Sequence, residues 1–273
     1  MTTITSIFDY DFMRNAFVAT TIVGIVAGAV GYFLVLRGET FAGHALAHVG
    51  FPGATGAVLI GLSPIVGLTL FTLIAGIGIG ILGNKAHRDV AIGIVLTLSL
   101  GLGLLFLHFY TAYAAQATNV LFGNVLGIST DTIVALAILG VVSLVGLLLI
   151  ARPLLFASLQ PEMAEARGVR LGLVSTLFLV IVALSTVEAM QIVGVLLVFA
   201  LMVAPAAIAL RLTRRIGTGI AVSIILAVAI AWLSLVLAYV TDWPTSFWIT
   251  ALGGAGYFLS AARLGGRRPA PQS

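Results

Sequence analysis

Apolar stretches of membrane-spanning length follow one another along almost all of this chain, with short polar gaps between them. Splitting at charges and at Gly/Pro clusters leaves nine: residues 12–36, 43–62, 64–82, 90–110, 132–150, 173–190, 192–210, 216–240 and 247–262. A helix needs about 20 mostly apolar residues to cross the hydrocarbon core of a bilayer. Charged residues make up 8% of the chain, against about 25% in a soluble domain, so no ordinary water-facing surface can be built. The expectation is an all-α polytopic membrane protein with about eight to nine transmembrane helices, forming one domain over residues 1–273. The weakest separators are Ser63–Pro64 and Glu188–Gln191. Asp9 and Asp11 precede the first run without a basic region or a small-residue cleavage site, so that run reads as a retained span.

The basic residues sort to one side. Arg37, Lys85, Arg88, Arg152, Arg167, Arg170, Arg211, Arg214, Arg215, Arg263, Arg267 and Arg268 all fall in gaps an even number of segments apart, and only Arg14 falls outside that set. Basic loops stay in the cytoplasm, which predicts an outer N-terminus and an inner C-terminus. The net charge of +4 therefore reflects topology and gives no reason to expect nucleic acid. The outer gap, residues 111–130, is mildly apolar and could fold back as a short re-entrant helix. In the inner gap, Pro161 followed by Glu162 and closed by Arg167 and Gly168 is a short helix signal. Such a helix either docks on a partner or simply lies at the interface, and the residues favour neither. The tail, about 265–273, reads as disordered, with Arg267 and Arg268 against anionic lipid.

One cluster carries chemistry. In Phe41–Gly53, His44 and His48 are four apart, so on a helix their imidazoles share a face. Two neutral imidazoles can hold one borderline or soft metal ion. Gly50, Pro52 and Gly53 follow at once, and they predict a break in the helix. An ionisable pair beside a broken helix in a membrane is a site hypothesis by default. The competing reading is two buried histidines bonded to backbone or hydroxyl groups, and the ligand reading is the favoured one. The spacing invites comparison with His-Glu-x-x-His proteases, but Ala45 stands where the catalytic Glu would be, so no hydrolase follows. There are no cysteines, which removes thiolate metal sites. Nor is there a Gly-x-x-x-x-Gly-Lys-Ser/Thr phosphate loop, so the chain does not use ATP by that route.

Other candidates weigh less. Glu188 stands well inside an apolar run. It could line a path or add a third ligand, but a cap of its segment at the outer interface is the favoured reading. Pro205 is expected to kink its helix and free a carbonyl. Gly24-x-x-x-Gly28 and Gly76-x-x-x-Gly80 are small-residue steps, read as tight packing within one subunit rather than as a dimer seam.

Taken in order, five stretches resemble the permease of ATP-binding-cassette importers for zinc, manganese and iron. They are Gly31–Gly53, Arg88–Leu105, Val120–Ser129, Glu162–Leu173 and Val193–Arg215. The first is similar to a Gly-Asp-Ala-Leu-Ser-His-like signature, and the last is the most characteristic. The resemblance implies a permease with no enzymatic activity of its own, in a bacterial plasma (inner) membrane. Its implied partners are a cytoplasmic ATPase subunit, an extracytoplasmic metal-binding protein and a second copy of the chain. No cofactor is held permanently, and a divalent metal ion passes as substrate. The signature's path-lining Asp and His fall on His44 and His48. Histidine in the Asp position leans towards zinc, with manganese or iron, or a carrier or channel that needs no ATPase, as alternatives. A coupling role over about 152–170 carries onto Glu162, Ala166, Arg167 and Gly168.

Overall fold

The computed structural model describes residues 10–82, 85–109, 123, 125–195 and 198–264. Nine long helices occupy these residues: α1 (Asp11–Leu36), α2 (Thr40–Leu59), α3 (Pro64–Ile81), α4 (Lys85–His108), α5 (Thr130–Leu159), α7 (Leu171–Val193), α8 (Val198–Leu212), α9 (Ile216–Thr241) and α10 (Thr245–Leu264). A six-residue helix, α6 (Pro161–Ala166), lies between α5 and α7. A 3₁₀ turn, Val125–Gly127, precedes α5. Six helices are long and apolar enough to cross a membrane: α1, α3, α4 from Asp89, α5, α7 and α9. The fold is the expected all-helical one. The tail at 265–273 and most of the proposed re-entrant stretch lie outside the described residues.

α1 and α7 are the most buried of these six, and α2 is buried to a similar extent. Of their most apolar windows, 72% is buried for α1 and 67% for α7, against 17% for α4 and 22% for α5. α1 packs on α5, α7, α8 and α9, and α2 packs on α3, α4 and α7. Exposed Ile and Leu side chains cover the outward faces of α3, α4 and α5, as lipid contact requires. Side-chain bonds tie the helix ends together at both faces. Asn15 donates to the Ile128 carbonyl at one end, and Arg37 reaches Ser158 and Ser175 at the other. The second end carries the basic residues, which the positive-inside rule expects on the cytoplasmic side.

Three expected breaks are absent. α2 runs unbroken through Gly50, Pro52 and Gly53. Its glycines serve contact instead. A Cβ on Gly67 of α3 would collide with the Gly53 carbonyl, and one on Gly50 would meet the Met190 and Leu68 side chains. α5 continues past Arg152 and Pro153 to Leu159. The fully buried Leu154 holds that extension to the bundle, and the exposed inner link shrinks to about 160–170. α7 continues through Glu188 and Gln191 to Val193, where Gly194 at φ 78° ends it. In each case tertiary packing overrides a local helix-breaking signal. The two small-residue steps also find their partners inside the subunit. Gly24 and Gly28 face Val228 and Ile224 of α9, and Gly76 and Gly80 face Leu179 and Thr176 of α7.

Backbone proximity at Gly67 gives a test. Overpacking a tight core costs about 1–3 kcal/mol. Gly67→Val is expected to lower the melting temperature in detergent markedly, because neither backbone can give way. Gly78→Ala, where a Cβ meets nothing within 4 Å, is expected to leave it unchanged.

Candidate functional site

α2 carries the histidine pair near its N-terminal end, beside the turn that holds Arg37. Residues 42, 43, 45, 46 and 47 are buried against the bundle, whereas Phe41 is exposed and His44 and His48 are half-buried. The three share one stripe of the helix at i, i+3 and i+7. The His44 and His48 rings lie 4.6 Å apart between centroids and nearly perpendicular, at 77°. The His44 ring also meets Phe199 of α8 at 5.1 Å and 74°. α2 is held in place at three heights, by Gly43 against Leu34, Gly50 against Met190 and Gly53 against Gly67. The pair therefore sits on a fixed helix and faces out of the subunit beside α8. Two imidazoles this close can share an ion. Among the described residues no group of three or more His, Cys, Asp or Glu comes together, so one subunit supplies this pair without a third ligand of those types. Pro52 has no N–H to bond the His48 carbonyl, which is the ordinary i−4 acceptor, and this leaves an oxygen near the pair.

Glu188 lies elsewhere. It is wholly buried, not placed at the outer interface as a cap. Its Oε1 is 3.0 Å from where a Cβ would stand on Gly140 of α5, at a spot also lined by Ile22 and Val26 of α1. Neither carboxyl oxygen has a hydrogen-bond partner among the described residues. The sequence signal for a cap was the polar pair Glu188 and Gln191, but α7 does not end there. Pro205 sits within a continuous α8, and Met202 beside it accepts a long contact from Thr186 Oγ1 at 3.9 Å.

The inner face is more ordered than the sequence suggests. α6 exposes Pro161, Glu162, Met163, Glu165 and Ala166 and buries Ala164, and Arg167 at its C-cap is exposed. Gly168 has φ +83°. Its N–H donates to Glu165 O at 2.9 Å, and the Val169 N–H donates to Ala164 O at 3.0 Å. That is the bond pair of a Schellman cap, which puts the next residue after the cap in the left-handed region and favours glycine there. The Arg167 guanidinium lies over the Phe156 ring at 5.8 Å. Sequence reading treated Arg37 only as a topological marker. The structure places it in a partly buried ion pair with Glu39 at 3.0 Å, with side chains 12% and 9% exposed. An Arg-Gly-Glu turn between two apolar helices was the available signal.

Known proteins share this architecture. Residues 9–263 match the ABC 3 transport family. A manganese transport system membrane protein, MntC of Halalkalibacterium halodurans, is 35% identical over 223 residues, 79% of this chain and 76% of that one. A Haemophilus influenzae relative named as a probable iron transport system membrane protein is 29% identical over 256 residues, 93% and 94% of the two chains. Among solved structures, PsaBC from Streptococcus pneumoniae in complex with Fab superposes with a TM-score of 0.85 at 28% identity, covering 94% of each chain.

Substitution of Glu188 separates core from path. Glu188→Gln keeps the shape and is expected to leave metal uptake within about twofold of wild type, as for a change without a new clash or cavity. Loss of uptake in a variant that still inserts would place the carboxyl in the ion's route.

Proposed function

The chain belongs to the ABC 3 transport family and is a membrane-spanning permease subunit of a metal importer; we propose that its cargo is manganese and that His44 and His48 contact the ion in transit. It is a multi-pass bacterial membrane protein and not an enzyme, with ATP hydrolysis in a separate subunit. Membership of an ATP-driven family leaves the carrier or channel alternative without support. The cargo reading rests on relatives whose names specify manganese, with iron named for another. The zinc lean came from residue type alone and draws no support from those names. One observation keeps zinc as the second reading: imidazole without carboxylate suits zinc better than the harder manganese ion.

The observation that carries the site is the half-buried pair itself, 4.6 Å between rings and turned outward beside Phe199. Imidazoles facing hydrocarbon would be left without polar partners. A second copy of the chain, bringing its own pair to the same cleft, would cover them and raise the ligand count to four. Such a site need not bind tightly, since an ion in transit must leave again. A metal-binding protein on the outer side delivers the ion, and α6 docks on the ATPase through Glu162, Ala166, Arg167 and the turn at Gly168. The support for that dock is an exposed, rigidly capped helix with Met163 half exposed on the basic side.

Uptake of manganese and zinc by proteoliposomes holding the whole importer tests the site. His48→Ala is expected to lower uptake by about tenfold or more while the chain still co-purifies with the ATPase. His44→Asp is expected to keep uptake and to shift preference further towards manganese. Wild-type rates and selectivity in both variants would make the pair structural.

The dock has its own test. Gly168→Val puts a β-branched side chain at φ +83°, which distorts the cap. The expected result is a chain that inserts normally but loses ATP-driven uptake. Unchanged uptake would refute docking at α6.

A further inference from the structure

Arg37 lies in the three-residue turn from α1 to α2, and its guanidinium bonds to three segments at once. One arm donates from Nη1 to Ser158 Oγ in the last turn of α5, at 3.1 Å. The other donates from Nη2 to Glu39 Oε1 at 3.0 Å and to Ser175 Oγ in the first two turns of α7, at 3.4 Å. Ser175 Oγ in turn donates to Glu39 Oε1 at 3.3 Å. The guanidinium also lies over the Phe178 ring at 5.5 Å. Ser158 and Ser175 stand on the two stems that carry α6, just before and just after it. A cavity of about 230 Å³ is lined both by this cluster and by Pro161, the first residue of α6.

The other side of the cluster leads to the histidines. Gly38 has φ +68°. Its N–H donates to Val35 O at 3.1 Å, and the Glu39 N–H donates to Leu34 O at 3.0 Å. The turn is thus bonded to the end of α1. The Gly43 N–H donates to Glu39 O at 3.1 Å, so Glu39 is also the start of α2. His44 follows five residues later, a rise of about 7.5 Å along a stiff helix. A shift of the α6 stems cannot leave Arg37 bonded without moving the base of the histidine helix.

We propose that Arg37 is a coupling residue, whose planar fork carries displacement of the α6 stems through Glu39 into α2 and so to His44 and His48. The inference rests on α6 being the ATPase dock. A guanidinium suits this role because its donors are fixed in one plane and hold several acceptors directionally, whereas an ammonium is a point charge. Ser158 and Ser175 are the contacts through which the stems pull, and Glu39 is the contact through which α2 is pulled.

The test uses the complete importer, permease with its ATPase and metal-binding protein, in proteoliposomes. ATP hydrolysis and manganese uptake are measured together, giving metal delivered per ATP. Arg37→Lys and the double variant Ser158→Ala/Ser175→Ala are each expected to co-purify with the ATPase and hydrolyse ATP, while metal per ATP falls about fivefold or more. A role in stability alone would lower both rates together and leave the ratio unmoved, and that result overturns the inference. If Arg37→Lys fails to assemble, the serine pair decides, since it removes only two hydroxyls and leaves the Arg37–Glu39 ion pair. If the wild-type chain itself does not co-purify with the ATPase, or Gly168→Val stays coupled, the dock reading falls and this inference with it. A dock that holds with an unchanged ratio in the serine pair refutes the inference alone.

Discussion

Close approach of helix backbones is the constraint on which the rest of this structure depends. Inside a bilayer, apolar side chains gain nothing from facing one another rather than lipid, so helices associate through packing contacts and a few polar bonds. Here the contacts are made where side chains are absent. Gly31 leaves no room for a Cβ against the Met202 carbonyl, Gly28 lies against Ile224, Gly67 against Gly53, Gly80 against Thr176, and Gly219 against the buried Tyr32 ring. Ser223 adds a hydroxyl bond to the Gly28 carbonyl at 2.7 Å, between α9 and α1. α1 and α7 can be buried this deeply because small residues let so many neighbours reach them.

The same contacts explain why signals that normally end helices failed to do so. Pro52 and Pro153 each delete one backbone bond, which in water would invite a break. In a bundle already fixed by neighbours on either side of the proline, breaking the helix would expose further backbone groups to hydrocarbon. Continuation is the cheaper outcome. For α5 the result is a helix that reaches the inner face and places Ser158 beside Arg37. For α2 it is one stiff rod from Glu39 past the histidines, not two half-helices hinged at Gly50.

The sequence was most legible where a property is one-dimensional. Apolar run length located all nine long helices, and the basic residues expected on one side do gather at one end of the bundle, because each depends on the chain's own order. The spacing of His44 and His48 was readable for the same reason, since both lie on one helix. Contacts between helices were not readable. Glu188 looked like an end cap because its sequence neighbours are polar, but its surroundings are Gly140, Ile22 and Val26 from other helices. The Arg37 cluster draws on residues 37, 39, 158 and 175, and no local pattern links Ser158 to Ser175. Phe199 as the neighbour of His44 was hidden in the same way.

The Arg37 cluster also bears on how such a protein can move without coming apart. A partly buried ion pair of this kind stabilises little beyond what its desolvation costs, yet removing one partner leaves the other charge without its counter-ion. Its bonds are short-range and directional, so the cluster yields as a unit or not at all. Glycine contacts without such a bond lack that property: they fix distance but allow sliding, and the α1–α9 seam is held against it by the Ser223 hydroxyl on the Gly28 carbonyl. A bundle of closely packed helices with this directional clasp between α1, α2, α5 and α7 has a defined lever. On the proposed reading, force applied at α6 arrives at the base of α2 and is not lost among the glycine seams. The histidine pair sits about one and a half and two and a half turns from that base, on the half-buried stripe of α2 beside Phe199. On the proposed reading that the pair contacts the ion, a small rotation of α2 there changes which surface the imidazoles face, and this is the change that an ion held by few ligands requires in order to be released.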